Sequence, residues 1–427
     1  MRAAFYECDI TPPLGGFMWG HYNNVRAKTV HDRLYAKALV VEDAGEVAAI
    51  VVVDTCAIPP EMHDVVTKRI QEYTGIAPER VCITSNHSHS GAPVASDATV
   101  ECEADAAYKD VFFRLCADAV TLAYNNLEEV DLKYAESEAH GISFNRNFIL
   151  DDGRYVTHGR SRKNIVKALD DIDPAVPVVM FEKDGKPIGA IVNFACHQCC
   201  LGKYDGYSGD YSSILSKRLK AEYGSDFVSL FLLGTCGDIN HVNPDPNIPI
   251  PSNFYEIMGN VLADAVLEAV KDAKPVEGGL KMISKNDEIA RRIPEKELVR
   301  QLLLKWQNQE DGFMRSRNLI HYEATYNNVT SDELIVQGIK LGDVLISTLP
   351  GEIYNAIGKA IKMGSPFERT IVVENCNKYC GYIPNKEVFG EHDDLYESAL
   401  CCHSCYVPEA CDILRDEAVA IAKELAK

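Results

Sequence analysis

The segment His87-Ser88-His89-Ser90-Gly91 carries the residue types best suited to chemistry in this sequence. It directly follows a strand predicted at residues 80–84, and open α/β sheets bind ligands just beyond the carboxyl ends of their strands. Two neutral imidazoles held close together are typical ligands of zinc. The alternative is a solvated polar loop, which is the commoner setting for a short His-rich turn.

Two other predicted strands also end in a potential metal ligand. His197 follows the strand predicted at residues 188–194, and Glu352 follows the strand predicted at residues 344–349. Three such strand ends at one edge of a sheet would build a pocket from distant parts of the chain. Each residue has a structural alternative. His197 could be a core histidine bonded to backbone, and Glu352 could be a carboxylate that stabilises the start of a helix predicted at residues 353–363.

The pattern of hydrophobic residues predicts how these strand ends are positioned. Alternation predicts three β-hairpins, at residues 35–54, 178–194 and 334–349. Helical periodicity predicts the helices 61–73, 104–127, 212–223, 254–271, 295–309, 353–363 and 410–425. We therefore predict an α/β fold with a mixed parallel and antiparallel sheet, helices packed on its faces, and the metal site at the strand ends. No break in composition defines a second domain, so residues 1–427 are predicted to form one domain.

Charge and hydropathy exclude several classes of partner. The net charge is −20, from 63 acidic and 43 basic residues, which argues against binding to nucleic acid or to an anionic membrane surface. Free polyanions are poor substrates for such a chain unless a local basic pocket outweighs its field. No apolar stretch approaches the roughly 18 residues of a membrane span. The first residues lack the features of a secretory signal, so we expect a cytoplasmic protein without a transmembrane segment.

The 15 cysteines form two tight groups, at residues 196–200 and 401–411. Their number is odd and no export signal precedes them, which favours reduced thiols. Neither group has the paired C-x-x-C framework of structural zinc, so we interpret both as buried free thiols. The alternative is a thiol-based protein whose cysteine groups bind metal or exchange disulfides.

Several longer motifs occur in a fixed order over nearly the whole chain. They are Asp9-Ile10-Thr11-Pro12, His31-Asp32-Arg33-Leu34-Tyr35-Ala36-Lys37-Ala38, Ser85-Asn86-His87-Ser88-His89-Ser90-Gly91, Phe144-Asn145-Arg146, Asn193-Phe194-Ala195-Cys196-His197, Ser208-Gly209-Asp210, Gly237-Asp238-Ile239-Asn240, Leu349-Pro350-Gly351-Glu352, Gly381-Tyr382 and Tyr396-Glu397. In these motifs the sequence resembles the neutral/alkaline (non-lysosomal) ceramidase family, which are zinc-dependent N-acylsphingosine amidohydrolases. The resemblance implies a ceramidase-like catalytic domain and a role in lipid metabolism.

The resemblance also implies a set of site residues. One zinc ion per chain would be held by His87, His197, Glu352 and Tyr382, and the pocket would further contain His89, Arg146 and Tyr396. Tyr382 is assigned by the resemblance alone, since from the residues it could equally be a half-buried aromatic beside a turn glycine. Arg146 could instead form a surface ion pair.

The sequence departs from the family pattern in two places. A family serine with a catalytic or substrate-contacting role is replaced by Asn240, which excludes a seryl acyl-enzyme at this position. We expect Asn240 and its neighbour His241 to contact substrate, although His241 could also be a loop histidine without a role. The immunoglobulin-like C-terminal domain of ceramidases has no counterpart in this sequence. Both departures suggest that ceramide itself is not the substrate.

These observations together predict a zinc-dependent hydrolase that cleaves the amide bond of a small N-acyl compound with metal-activated water. Tyr396 or His89 would stabilise the oxyanion, His89 would carry the proton to the leaving nitrogen, and Arg146 would orient a polar or anionic part of the substrate. A zinc esterase or lactonase of the same fold is one alternative. A non-catalytic relative that binds a lipid or an amide is another.

Overall fold

The computed structural model describes residues 1–21, 23–96, 104–160, 162–202, 205–307, 312–390 and 395–427. In chain order the strands are β1 (Arg2–Asp9), β2 (Thr29–Val30), β3 (Tyr35–Asp43), β4 (Glu46–Val53), β5 (Val81–Ser85), β6 (Glu128–Glu129), β7 (Asp131–Glu138), β8 (Phe144–Asn145), β9 (Asn147–Leu150), β10 (Tyr155–Thr157), β11 (Ile165–Ala168), β12 (Ala175–Lys183), β13 (Lys186–Phe194), β14 (Gly206–Tyr207), β15 (Val228–Leu233), β16 (Ile239–Asn240), β17 (Lys274–Pro275), β18 (Leu280–Ala290), β19 (Ser331–Leu341), β20 (Val344–Thr348), β21 (Glu352–Ile353), β22 (Arg369–Val373) and β23 (Tyr382–Ile383). The helices are α1 (Met62–Thr74), α2 (Ala106–Asn125), α3 (Tyr211–Tyr223), α4 (Phe254–Ala269), α5 (Lys296–Trp306), α6 (Gly312–Tyr326), α7 (Asn355–Gly364) and α8 (Ala410–Leu425).

Three large sheets repeat one local pattern, in which the second strand of a hairpin pairs in parallel with a later strand. The first sheet has the order β5-β4-β3-β1-β6, the second β15-β13-β12-β7-β17, and the third β18-β19-β20-β22. The parallel pairs are β4 with β5, β13 with β15, and β20 with β22. This arrangement confirms the predicted mixed α/β fold, although the strands are divided among several sheets.

The inner faces of the three sheets pack against one another. Their shared core is one cluster of buried apolar side chains that includes Val41, Ile50, Phe181, Leu230, Ile339, Ile346 and Ile371. Helices cover the outer faces, with α1 and α2 on the first sheet, α3 and α4 on the second, and α7 and α8 on the third. The central strands are therefore buried on both sides, which explains their continuous runs of apolar residues.

The predicted hairpins are confirmed by the antiparallel pairs β3–β4, β12–β13 and β19–β20. Helix α8 has the predicted bounds, and α1 ends at Gly75, whose φ of 78° is the left-handed conformation that glycine adopts easily. The end of the helix predicted at residues 295–309 lies outside the described residues. Helix α6 was not predicted, because its buried residues include Arg315 and Asn318 and leave no clean apolar stripe.

Glu352 differs from its predicted surroundings. It lies in β21, whereas α7 begins at Asn355 with Tyr354 as the capping residue. The interpretation of Glu352 as a helix-start carboxylate is therefore wrong. Its backbone is instead paired with β23 in a short parallel ladder.

No disulfide bond joins the described cysteines, and most of them are buried. Neither of the two cysteine groups found in the sequence is among the described clusters whose ligand atoms lie close enough to share a metal ion. Among the described residues, no helix is both long and apolar enough to cross a membrane.

Candidate metal centre and adjoining pocket

His87, His197 and Glu352 meet at the ends of strands from the three different sheets. Nε2 of His197 lies 2.9 Å from Oε2 of Glu352, and Nε2 of His87 lies 3.3 Å from the same oxygen. All three residues are only 1% exposed. Their potential ligand atoms all lie within 4.8 Å of one another, so one ion could bind all three.

The hydrogen bonds of both imidazoles orient Nε2 toward the centre. Nδ1 of His87 contacts the Cys56 carbonyl oxygen at 2.7 Å, and Nδ1 of His197 contacts the Cys236 carbonyl oxygen at 2.8 Å. A carbonyl oxygen only accepts, so each Nδ1 carries a proton, and Nε2 presents a lone pair wherever the ring is neutral. In metal sites, the histidine nitrogen that does not bind the metal usually donates a hydrogen bond in this way.

The pair of His197 and Glu352 then places two acceptors against each other. Burial and the charge of Arg146 lower the pKa of His197 to about 4, so the ring is neutral near pH 7. Burial opposes ionisation of Glu352, but the imidazoles of His87 and His197 hold its pKa well below the ordinary value. A lone pair and a carboxylate 2.9 Å apart repel unless a cation lies between them. These residues therefore fit a divalent metal, and two histidines with one glutamate are a known catalytic zinc set.

A second cluster of potential ligands shares His87. The ligand atoms of Cys56, His87 and His89 also lie within 4.8 Å of one another. However, burial raises the pKa of the Cys56 thiol, and Nδ1 of His87 is already bonded to the Cys56 carbonyl. The thiolate that a metal requires is therefore disfavoured here, and the cluster with Glu352 is the better candidate.

Tyr382 is brought beside Glu352 by the parallel ladder between β21 and β23. The two residues are direct partners in this ladder, and the Glu352 amide donates to the Gly381 carbonyl at 2.8 Å. Paired residues on neighbouring strands point to the same face of a sheet. Tyr382 is 7% exposed, so it is more deeply buried than a half-exposed aromatic beside a turn.

The loop that carries His87 is held in a strained conformation. His87 has a φ of 61°, which is rare for a residue with a side chain and is typical of functional sites. The Asn86 amide group donates to Asp54 at 2.7 Å, and the Ser88 hydroxyl donates to the Ser208 carbonyl at 2.6 Å. A Cβ atom on Gly91 would lie 2.6 Å from Cα of Thr55, so the motif requires glycine there.

The loop that carries His197 is organised by Asp210. Its carboxylate accepts from the backbone amides of Cys200, Leu201 and Tyr211 at 2.8, 3.0 and 2.7 Å. The last of these contacts also caps the start of α3. One buried aspartate therefore links the loop after β13 to a helix that covers the second sheet.

Arg146 is buried next to the cluster of His87, His197 and Glu352 and does not lie on the surface. Its Nε donates to Glu397 at 2.6 Å, its Nη2 donates to the Gly237 carbonyl at 2.7 Å, and its Nη1 lies 3.4 Å from Nε2 of His197. Arg146 is 7% exposed and Glu397 is fully buried. The alternative of a surface ion pair is therefore wrong.

A pocket of about 50 Å³ opens beside His87 and Glu352, and we call it the site pocket. Its lining includes His87, His89, Glu352, Tyr382 and Tyr396. The His89 ring centroid lies 5.0 Å from that of His87. Burial and the neighbouring imidazoles hold the pKa of His89 well below its ordinary value, so this ring is neutral at pH 7.

Asn240 and His241 lie outside the lining of the site pocket. Asn240 is buried in β16, where its side-chain oxygen accepts from the Val242 amide at 2.9 Å in a local turn. The ring of His241 packs against Phe254 with centroids 5.7 Å apart. In the described structure both side chains therefore contact neighbouring protein groups.

Sequence reasoning missed several residues of this centre. Tyr379 donates a hydrogen bond to Glu352, while Trp19, Arg317 and Asn318 line the site pocket. Trp19 and Arg317 lie outside every motif, and only the tertiary structure brings them to the pocket. Tyr379 lies three residues before Tyr382, which was the one available signal.

Comparisons with known proteins agree with this fold. The family model described as "Neutral/alkaline non-lysosomal ceramidase, N-terminal" matches residues 6–247. The structure is similar to neutral ceramidase from Pseudomonas aeruginosa, with a TM-score of 0.75 and 19% identity over 99% of this chain and 74% of that chain. It is also similar to a ceramidase complexed with C2, with a TM-score of 0.76 and 18% identity over 100% of this chain and 75% of that one. No curated protein matches the sequence.

Proposed function

Because this chain belongs to the neutral/alkaline non-lysosomal ceramidase family, we propose that it is a metal-dependent hydrolase that cleaves the amide bond of an N-acyl compound. The observation that carries this proposal is the buried pair of acceptors, Nε2 of His197 and Oε2 of Glu352, 2.9 Å apart. A divalent cation bound by both atoms would relieve their repulsion, and Nε2 of His87 faces the same oxygen.

The proposed ligands of one zinc ion are His87, His197 and Glu352, with Tyr382 as the fourth. Zinc with an open coordination position polarises a carbonyl group and lowers the pKa of a water molecule to about 7, which supplies the nucleophile for hydrolysis. Tyr382 qualifies as the additional ligand because its backbone is paired with that of Glu352.

The remaining polar groups of the centre are proposed to transfer a proton, to stabilise the oxyanion and to position the metal ligands. His89 is neutral and lines the site pocket, so it is the group proposed to accept a proton from the attacking water and to pass that proton to the leaving nitrogen. Tyr396 lines the same pocket and is proposed to donate to the carbonyl oxygen as negative charge develops there. Arg146 is a positioning residue, because Glu397 and the Gly237 carbonyl occupy its donors.

The site pocket is narrow next to the proposed metal ligands. Its volume is about 50 Å³, so the part of the substrate that lies beside His87 and Glu352 must be small. We therefore propose short N-acyl compounds as the substrate class.

The test combines metal analysis with a hydrolysis screen. The purified protein is expected to contain one zinc ion per chain, and chelation is expected to abolish hydrolysis of short N-acyl compounds. His197→Ala should lose both metal and activity, whereas the exposed His140 offers a matched control, His140→Ala, that should retain both. Full zinc occupancy in His87→Ala or His197→Ala would contradict the proposed ligand set. Hydrolysis that survives chelation would contradict the proposed function.

A further inference from the structure

The site pocket contains buried polar atoms that no group in the described part of the chain satisfies. Nε and Nη2 of Arg317 and Nε1 of Trp19 are buried, and none has a hydrogen-bond partner among the described residues. All three are donors, and both side chains line the site pocket. A buried donor without a partner costs about 1–3 kcal/mol, and more when it is charged. Such atoms indicate that a bound acceptor completes the site.

Arg317 also lacks a carboxylate partner within the described lining of this pocket. Glu352 is the one carboxylate among the described residues that line it, and its oxygens are engaged by Tyr379 and by the imidazoles of His87 and His197. The neighbouring Arg315 differs, because its guanidinium lies 5.9 Å from the ring of Trp306 and lines another cavity. Arg317 therefore presents a positive charge to the ligand.

A second cavity continues from the site pocket and is also cationic. This side pocket has a volume of about 310 Å³ and shares Trp19, Tyr379 and His403 with the site pocket. The side chains of Arg291 and Lys378 line it, and both contact the carboxylate of Asp332, at 2.5 and 3.0 Å. Asp332 neutralises one of these two positive charges, so the group keeps a net positive charge.

These charges form a local basic region in a chain whose net charge is −20. Field lines concentrate in clefts lined by one sign of charge, so such a region can attract an anion that the rest of the surface repels. Guanidinium groups pair with carboxylates through two parallel N–H donors. In Arg317 the two donors without a described partner, Nε and Nη2, lie on the same side of the guanidinium group, so together they can bind one carboxylate.

We propose that the substrate is a short N-acyl compound that carries a carboxylate, as in an N-acylated amino acid, and that Arg317 binds this carboxylate with help from Nε1 of Trp19. The inference rests on the proposed function and narrows its substrate class. Water adds to the acyl carbon, the C–N bond breaks, and the nitrogen takes a proton, so a carboxylic acid and a free amino acid leave. The role assigned from the sequence to Arg146 thus belongs to Arg317, because the donors of Arg146 are occupied by protein.

The test compares two pairs of probes that differ only in charge. N-butanoylglycine and N-butanoylglycinamide report hydrolysis, and their ketomethylene analogues 4-oxoheptanoate and 4-oxoheptanamide, which cannot be hydrolysed, report binding by calorimetry. Arg317→Gln is expected to raise KM for N-butanoylglycine and Kd for 4-oxoheptanoate by about 10- to 100-fold, the value of a charge-assisted hydrogen bond. The values for both neutral probes should stay unchanged, and kcat should change little.

Two further variants serve as controls. Arg300→Gln removes the same charge from the exposed face of the adjacent helix α5 and should leave all four probes unaffected. Arg317→Lys keeps the positive charge but loses the two parallel N–H donors, so it should retain part of the preference for the charged probes over the neutral ones.

The inference is overturned if the wild-type protein binds 4-oxoheptanoate and 4-oxoheptanamide equally, or if Arg317→Gln weakens both to the same degree. Its failure can be distinguished from that of the proposed function. Metal-dependent hydrolysis without a preference for the charged probe would remove only this inference. Arg317-dependent binding of 4-oxoheptanoate without hydrolysis of any N-acyl compound would support this inference and remove the proposed function.

Discussion

The hydroxyl group of Tyr379 donates a hydrogen bond to Oε1 of Glu352 over 2.8 Å. Burial and the nearby carboxylate raise the pKa of Tyr379 well above its ordinary value, so the phenol keeps its proton. The contact uses one carboxylate oxygen and leaves Oε2 to face His87 and His197. Tyr379 therefore sets the orientation of the proposed metal-binding oxygen.

Tyr379→Phe is expected to weaken metal binding. The change removes the donor on Glu352 but keeps the ring that packs on Trp19 with centroids 4.8 Å apart. Loss of such an outer contact typically lowers metal affinity about 10- to 100-fold, which competition with a chelator would measure. Tyr6→Phe, at an exposed position of β1, is the control. Equal zinc affinity of the wild type, Tyr379→Phe and Tyr6→Phe would show that Tyr379 does not support the Glu352 carboxylate.

His89→Gln is expected to lower kcat while the metal stays bound. His89 lines the site pocket, but Nδ1 of His87 and His197 remain bonded to their carbonyl oxygens without it. Loss of a general acid costs about 10²- to 10⁴-fold in rate. Steady-state kinetics together with zinc analysis would separate this result from that of His87→Ala. A His89→Gln protein that loses its zinc would assign His89 to metal binding and not to proton transfer.

Glu397→Gln is expected to destabilise the fold. Glu397 is fully buried and accepts from Nε of Arg146 at 2.6 Å and from the Thr157 hydroxyl at 2.8 Å. Leaving a buried arginine without its carboxylate costs about 3–5 kcal/mol, which urea unfolding would measure. Glu297→Gln, in an exposed ion pair with Arg300, should have little effect. Equal stability of the two variants would mean that Arg146 is stabilised by other groups.

Glu374 is expected to make stability fall as pH rises. It is buried between the second and third sheets, where Oε2 accepts from the backbone amides of Cys236 and Ile353 at 2.9 and 2.7 Å. Burial raises the pKa of Glu374 to about 8, against 4.5 for the ordinary group. Between these two values the folded protein binds one more proton than the unfolded chain. The free energy of unfolding should therefore decrease with rising pH by about 1.4 kcal/mol per pH unit from this group.

Glu374→Gln tests this linkage. A glutamine oxygen placed at Oε2 can accept from both backbone amides, so these two contacts are retained while the proton equilibrium is removed. Urea unfolding between pH 5 and 9 should give a flatter curve for the variant, with its advantage over wild type greatest above pH 8. Parallel curves for the two proteins would contradict the raised pKa.

The sequence by itself determined the local structure and the residue types at the centre. Alternation within hairpins and the left-handed residue Gly75 depend on neighbours along the chain, so they could be predicted from it. His87, His197 and Glu352 were found because each follows an apolar strand, and their convergence agrees with that reasoning. Tyr382 came from the resemblance to ceramidases, since no local pattern distinguishes it from other tyrosines.

Only the tertiary structure decided how the three sheets meet and which side chains enter the pocket. Arg146 and Arg317 have the same hydrogen-bond donors, yet one is bonded to Glu397 and the other has two buried donors without partners among the described residues. The difference arises because hydrogen-bond satisfaction depends on groups that are distant along the chain. Residue type sets what a side chain can bind, but packing sets which of its atoms remain available for a ligand.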